Sequence, residues 1–217
     1  SPALAAVLEL GLQHEQQHQE LILTDVRHLL SCNPLDPVYR AADAVPPAAP
    51  VPLRWIGFDG GRVEIGHHGP GFAFDNELPR HAVWLRPYAL ANRLVTQGEW
   101  AEFVAAGGYA DPRWWLAAGW DWVRQQRVSA PLYWRAEPGG GCSSYTLRGR
   151  RALDALVPVV NISLYEADAY ARWFSARHPG EAPLRLPTEA EWEHAAALGG
   201  AVTAADGAFL ESGALHP

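Results

Sequence analysis

His14-Glu15-Gln16-Gln17-His18-Gln19-Glu20 lies near the middle of a stretch, Ala3 to Leu30, that has no proline and a single glycine, Gly11. Strong helix formers dominate this stretch, and Leu10, Leu21 and Leu29 fall near one another on a helical wheel. The pattern predicts one long helix, or two with a bend near Gly11. Asn33-Pro34 ends it, because proline restricts the residue before it and cannot continue the helix. On such a helix His14 and His18, four residues apart, share one face with Cβ atoms ~5–6 Å apart. Two imidazoles so placed can be neighbouring ligands of one metal ion. Two polar residues on a solvated face give the same spacing, so the spacing alone leaves both readings open.

The string His14-Glu15-Gln16-Gln17-His18 also matches the zinc-protease pattern, in which the glutamate is the general base. A zinc protease needs a third ligand downstream and a sheet edge upstream, and a proline-rich segment follows here instead. His28 is about 40° from His14 on the wheel but ten residues beyond His18, ~15 Å along the axis, so it cannot share an ion with the pair. Asp25 fails the same test, and a third ligand must come from another helix. A single helix cannot bury its own apolar stripe either, so Ala3 to Leu30 needs partner helices.

Pro34, Pro37, Pro46, Pro47, Pro50 and Pro52 mark an extended linker expected to be poor in hydrogen bonds. From Arg54 the texture changes to short strands, turns and dense aromatics. Arg54 to Phe58 and Arg62 to Ile65 flank Asp59-Gly60-Gly61, which predicts a hairpin. His81 to Leu94 reads as one or two strands interrupted at Pro87. Thr96-x-x-Glu99, Ser163-x-x-Glu166 and Thr188-x-x-Glu191 are capping boxes that announce three helices. Between the first two lies a loop-rich stretch holding Trp114, Trp115, Trp120, Trp122 and Trp134, whose rings are expected to fill a core. The predicted organisation is a helix carrying the histidine pair over 1–32, a linker over 33–53 and an α+β domain rich in irregular structure over 54–217.

Composition sets outer bounds. Apolar residues make up 48% and charged residues 19%, as in ordinary globular proteins. The net charge of −7 argues against nucleic acid as a partner, since phosphate binding needs a basic face. All 17 basic residues are arginine and methionine is absent, which fits a coding bias more than a function. Cys32 and Cys142 fit no CxxC spacing and are expected to be reduced thiols. No apolar run reaches the ~18 residues of a membrane span, and no signal-like segment opens the chain, so no membrane partner and a cytoplasmic location are expected. The chain opens without methionine in a helical pattern and stops at Leu215-His216-Pro217, which reads as truncation at both ends.

The run His14 to Leu21, continuing through Leu23-Thr24-Asp25-Val26-Arg27-His28, resembles the iron-binding helix of the sulfoxide synthases of ergothioneine biosynthesis, the EgtB-like enzymes. These fuse a DinB-like four-helix bundle to a domain resembling formylglycine-generating enzyme, with a C-type-lectin-like fold. Phe74-Asp75-Asn76-Glu77-Leu78-Pro79-Arg80-His81 and Asn92 to Trp100 look like the opening of that domain. Pro158-Val159-Val160-Asn161-Ile162-Ser163 and Leu184 to Glu193 look like its middle. Together these motifs cover most of the chain in the expected order.

The resemblance implies that His14 and His18 are two of three histidines on an iron(II) ion, and that Gln17 lies near the hercynine site. It implies small-molecule substrates: hercynine, a thiol donor (γ-glutamylcysteine or cysteine) and O2, joined through a carbon–sulfur bond in an oxidoreductase reaction. The third histidine and the arginines for the donor's carboxylates are expected upstream, and Arg27 does not replace them. The catalytic tyrosine is expected beyond Pro217, so the chain alone is expected to hold no catalytic residue and to be essentially inactive. Ovothiol- and selenoneine-type synthases share the architecture. A DinB-like zinc-dependent thiol transferase or hydrolase, a formylglycine-generating oxidase and a non-catalytic lectin-like fragment are the readings from other classes.

Other tempting residues read as structural. His67-His68 lies in a Gly-rich turn, and His81, His178 and His194 are isolated. Asp75 and Glu77 are expected to organise a loop, and the tryptophan cluster to pack a core instead of forming a carbohydrate platform.

Overall fold

The computed structural model describes residues 2–41, 49–180 and 182–199. Pro46, Pro47 and everything beyond residue 199 lie outside the described residues. The chain is α+β: five α-helices and three small β-sheets, counted among the described residues. It divides into two compact units, one holding 1–29, 55–90 and 187–217, the other 30–54 and 91–186.

In the first unit, helix α1 runs without a break over Pro2–Ser31, so Gly11 introduces no bend. Strands β1 (Trp55–Phe58) and β2 (Gly61–Ile65) do not form the expected hairpin with each other. Instead β2 pairs antiparallel with β3 (His81–Leu85), Val63 opposite Val83, while β1 pairs with β4 (Tyr88–Ala91). The reason lies at Gly60. Its φ is +71°, and a Cβ there would lie 2.5 Å from the Leu85 carbonyl oxygen. Only glycine lets the chain turn this close against the β3 end, so Asp59-Gly60 passes the chain from one strand pair to the other instead of reversing it. The break at Pro87 divides β3 from β4 as expected. Helix α5 (Glu189–Leu198) packs on β2 and β3, and the Glu193 carboxylate accepts from the Gly66 N–H at 2.6 Å.

The second unit is organised around aromatic rings. Helices α2 (Gln97–Ala105), α3 (Ala117–Gln126) and α4 (Leu164–Arg177) surround a core of Trp100, Phe103, Tyr109, Trp115, Tyr170 and Trp173. Trp100 stacks on Tyr170 with ring centroids 4.9 Å apart and planes 10° from parallel. Trp114, Trp120, Trp122 and Trp134 pack half-buried against this core, as the packing reading of the cluster predicts. The loop-rich reading of that stretch is corrected: it contains α3 and a three-stranded antiparallel sheet, β5 (Trp134–Ala136), β6 (Cys142–Thr146) and β7 (Gly149–Ala152). Gly119 brings α3 against α4, since a Cβ there would fall 2.8 Å from the Tyr165 side chain.

All three capping boxes are present with both reciprocal bonds, at α2, α4 and α5. The proline-rich segment departs from expectation, because its first part is bonded throughout. Asp36, in the left-handed region at φ 44°, takes two guanidinium bonds from Arg150 at 2.9 Å and one from Arg135 at 2.7 Å. Tyr39 and Arg40 donate their N–H groups to the Leu147 carbonyl, and Tyr145 O–H donates to the Pro37 carbonyl. Proline lacks a donor but keeps its carbonyl, and the neighbouring residues supply the rest.

The hydrogen bond from Arg150 lowers the Asp36 carboxyl most, and the bond from Arg135 adds to it; together they outweigh burial and hold the carboxyl at about 2, against an ordinary 3.8. A depressed carboxyl stabilises the fold above its unfolded value and loses that contribution as pH falls through its folded value. Unfolding free energy should therefore decline between pH 3.8 and about 2 in the native chain. Asp36→Asn should flatten this decline and cost about 1–2 kcal/mol at neutral pH, read by urea titration across that range.

Candidate functional site

The histidine pair is built by α1 alone. His14 and His18 lie on successive turns, their rings 4.4 Å apart between centroids at 60°. Both are exposed, as is Gln17 beside them. Leu4, Val7, Leu10 and Leu21 continue the stripe that carries the pair, and they too are exposed, Leu10 at 48% and Leu21 at 56%. The donor set fits adjacent positions on one transition-metal ion, for which neutral imidazole is a suitable ligand. Among the described residues no third histidine, cysteine, aspartate or glutamate joins them.

Four other histidines make structural contacts. His81 Nδ1 lies 2.9 Å from the Pro79 carbonyl and His67 Nε2 lies 3.3 Å from that of Gly69, so in both a protonated ring nitrogen is the donor. His178 stacks on Phe174 at 4.0 Å, with Nδ1 2.8 Å from the Phe174 carbonyl. His194 reaches Tyr88, whose hydroxyl donates to the Glu191 carbonyl at 2.8 Å and lies 2.9 Å from His194 Nδ1. Burial first, and the Glu191 charge second, push the Tyr88 phenol upward. Asp75 and Glu77 form a short 3-10 turn, closed by the bond from Phe74 N–H to the Glu77 carboxylate, as the loop reading predicts. Cys32 and Cys142 are both free thiols.

Two features escaped sequence reasoning. Tyr88 and His194 are 106 residues apart in sequence, with no local signal linking them. The second is a cavity of about 640 Å³ in the larger unit, bounded by Pro50, Val51, Leu94, Leu156 and the Arg93–Glu99 pair. Arg93 donates to both oxygens of Glu99, at 2.9 and 2.7 Å, and to the Val51 and Leu94 carbonyls. Each partner's charge favours the other: the bonds to Glu99 raise Arg93 and the bonds from Arg93 lower Glu99. With all three guanidinium nitrogens bonded and its charge paired by Glu99, Arg93 offers the cavity no unpaired cation for an anionic ligand.

Residues 45–213 match the sulfatase-modifying factor enzyme 1-like domain. The chain belongs to that family. The histidine pair precedes the matched residues of the sulfatase-modifying factor enzyme 1-like domain. The chain is 33% identical over 192 residues to the hercynine oxygenase of Mycolicibacterium thermoresistibile, covering 86% of this chain and 39% of that protein. It is 38% identical over 125 residues to the hercynine oxygenase of Mycobacterium tuberculosis, covering 58% of this chain and 27% of that one. The formylglycine-generating enzyme of Streptomyces coelicolor is 34% identical over 177 residues, covering 72% of this chain and 51% of that enzyme. The chain thus spans well under half of the hercynine oxygenases it matches. No helix among the described residues is long and apolar enough to cross a membrane.

Replacing Tyr88 by phenylalanine should remove the donor to the Glu191 carbonyl and lower unfolding free energy by about 1 kcal/mol in a urea titration.

Proposed function

We propose that this chain is part of a non-haem iron, O2-dependent sulfoxide synthase that joins hercynine to the sulfur of γ-glutamylcysteine or cysteine in ergothioneine biosynthesis. The single observation that carries the reading is the exposed His14–His18 pair on an unbroken helix, ahead of a sulfatase-modifying factor enzyme 1-like domain. The similarity to two hercynine oxygenases supports the same reading. In it, residues 1–32 are the metal-binding helix of a DinB-like bundle, 33–53 a linker and 54–217 the formylglycine-generating-enzyme-like domain. The partners are small molecules, and the site is that of a cytoplasmic oxidoreductase.

His14 and His18 would hold the iron, each through one ring nitrogen. The helix backbone already fixes the spacing of the two Cβ atoms, so binding has only side-chain torsions left to order. Bound iron(II) supplies oxygen activation and a site for the donor thiolate. Gln17 flanks the pair, and its amide orients hercynine by hydrogen bonding while leaving the metal positions free. The apolar side chains around the pair, once covered by the remaining bundle helices, exclude water from it. A third imidazole comes from one of those helices. In this reading the chain supplies ligands and orientation.

The longest natural form of the protein should carry one iron per chain, and His18→Ala should abolish iron binding measured by metal analysis. Full iron occupancy in that variant would remove His18 from the ligand set. Incubated with iron(II), hercynine, O2 and each thiol in turn, the same form should yield a sulfoxide detectable by mass spectrometry. Absence of product with iron bound would transfer the reading to a synthase with another acceptor or a selenium donor.

A further inference from the structure

Glu166 is a buried carboxylate that the proposed reaction does not use, with 2% of its surface exposed. One of its oxygens completes the cap of α4, accepting from the Ser163 N–H at 2.6 Å. The other accepts from the Tyr109 hydroxyl at 2.7 Å. Tyr109 is itself buried, and its oxygen accepts from the Trp100 indole N–H at 3.3 Å. Rings crowd this pair: Trp115 lies 5.4 Å and Phe103 5.6 Å from Tyr109, Trp100 stacks on Tyr170, and Tyr170 lies 5.6 Å from Trp173. Trp114 and Trp120 reach from this core toward its rim.

Tyr109 cannot simply ionise. Burial first, and the adjacent Glu166 charge second, push its phenol far up, since a phenolate would set two negative charges in contact inside the protein. Loss of an electron together with the proton has the opposite effect. The proton passes to Glu166, and the buried pair goes from one negative charge to none, which relieves the cost of a buried anion.

We propose that Tyr109 and Glu166 form a proton-coupled electron donor, to which the surrounding Trp and Tyr rings carry an oxidising equivalent from an oxygen-derived radical at the protein surface. The radical gains one electron and becomes an anion, which takes a proton from solvent. The Tyr109 O–H bond breaks, a new O–H bond forms at the Glu166 carboxylate, and a neutral phenoxyl radical remains. One electron from a small enediol reductant, with return of the proton from Glu166, restores the pair. The device diverts oxidising equivalents from the indoles, whose oxidation would break up the core.

The test uses the full chain and a photogenerated ruthenium(III) polypyridyl oxidant with persulfate as electron acceptor, freeze-quenched for electron paramagnetic resonance. The unsubstituted protein should give a neutral tyrosyl signal. Tyr109→Phe, which keeps the ring in the core, should lose that signal and show a tryptophan radical instead, whereas Tyr39→Phe at the exposed surface should retain it. Glu166→Gln, checked for folding by circular dichroism, should lose the tyrosyl signal because the proton has no base to accept it. A tyrosyl signal unchanged in Tyr109→Phe, or none in the unsubstituted protein, overturns the proposal. Full yield in a folded Glu166→Gln protein removes Glu166 as the proton acceptor.

Discussion

The second unit depends on how Glu166 is satisfied. A carboxylate at the third position of α4 meets the unpaired N–H groups and positive end of that helix, which is where a buried negative charge is least costly. Its second oxygen fixes Tyr109 on the loop after α2, and Tyr109 in turn takes the indole N–H of Trp100 on α2. One residue thus specifies the start of α4, the path of a loop and the rotamer of a tryptophan in the core. Polar groups buried among aromatic rings restrict the packing to arrangements in which every one of them is paired. The stacking of Trp100 on Tyr170 and the contact of Phe103 with Trp173 follow once those positions are set.

What was legible in the sequence was what local chemistry encodes. Three hydroxyl–glutamate spacings gave three helix starts, because a cap is a contact between residues three apart and needs no tertiary information. α3 was missed because its N-cap position is Leu116, which has no side-chain acceptor, and its stability comes from packing against α4 through Gly119. The β1–β2 hairpin was misread because Asp-Gly-Gly chemistry is the same whether a turn reverses the chain or passes it to another strand pair. The deciding fact, the Leu85 carbonyl against Gly60, lies 25 residues away. The bonded start of the proline-rich segment was hidden for a similar reason: Asp36 finds its partners 99 and 114 residues later.

For the candidate site, the spacing of His14 and His18 named the pair and the helix placed their rings side by side. The spacing did not supply a third ligand, and none is found among the described residues. In the proposed site a third ligand would arrive by tertiary packing, which leaves no periodic trace. The Tyr88–His194 contact was equally invisible, since neither residue sits in a pattern that points to the other.

The two imidazoles of α1 are separated by one helical turn, and they face the same way only while that turn is intact. Ligand spacing and local folding are therefore one equilibrium. An ion held by both rings favours the helical state of Glu15 to Gln17 by mass action, and fraying of that stretch weakens the ion's hold to the same degree. In the proposed metal site, the strong helix formers between the histidines would thus act on affinity without touching the ion. They set how often the two donors are aligned, and so how much of the intrinsic binding strength is realised.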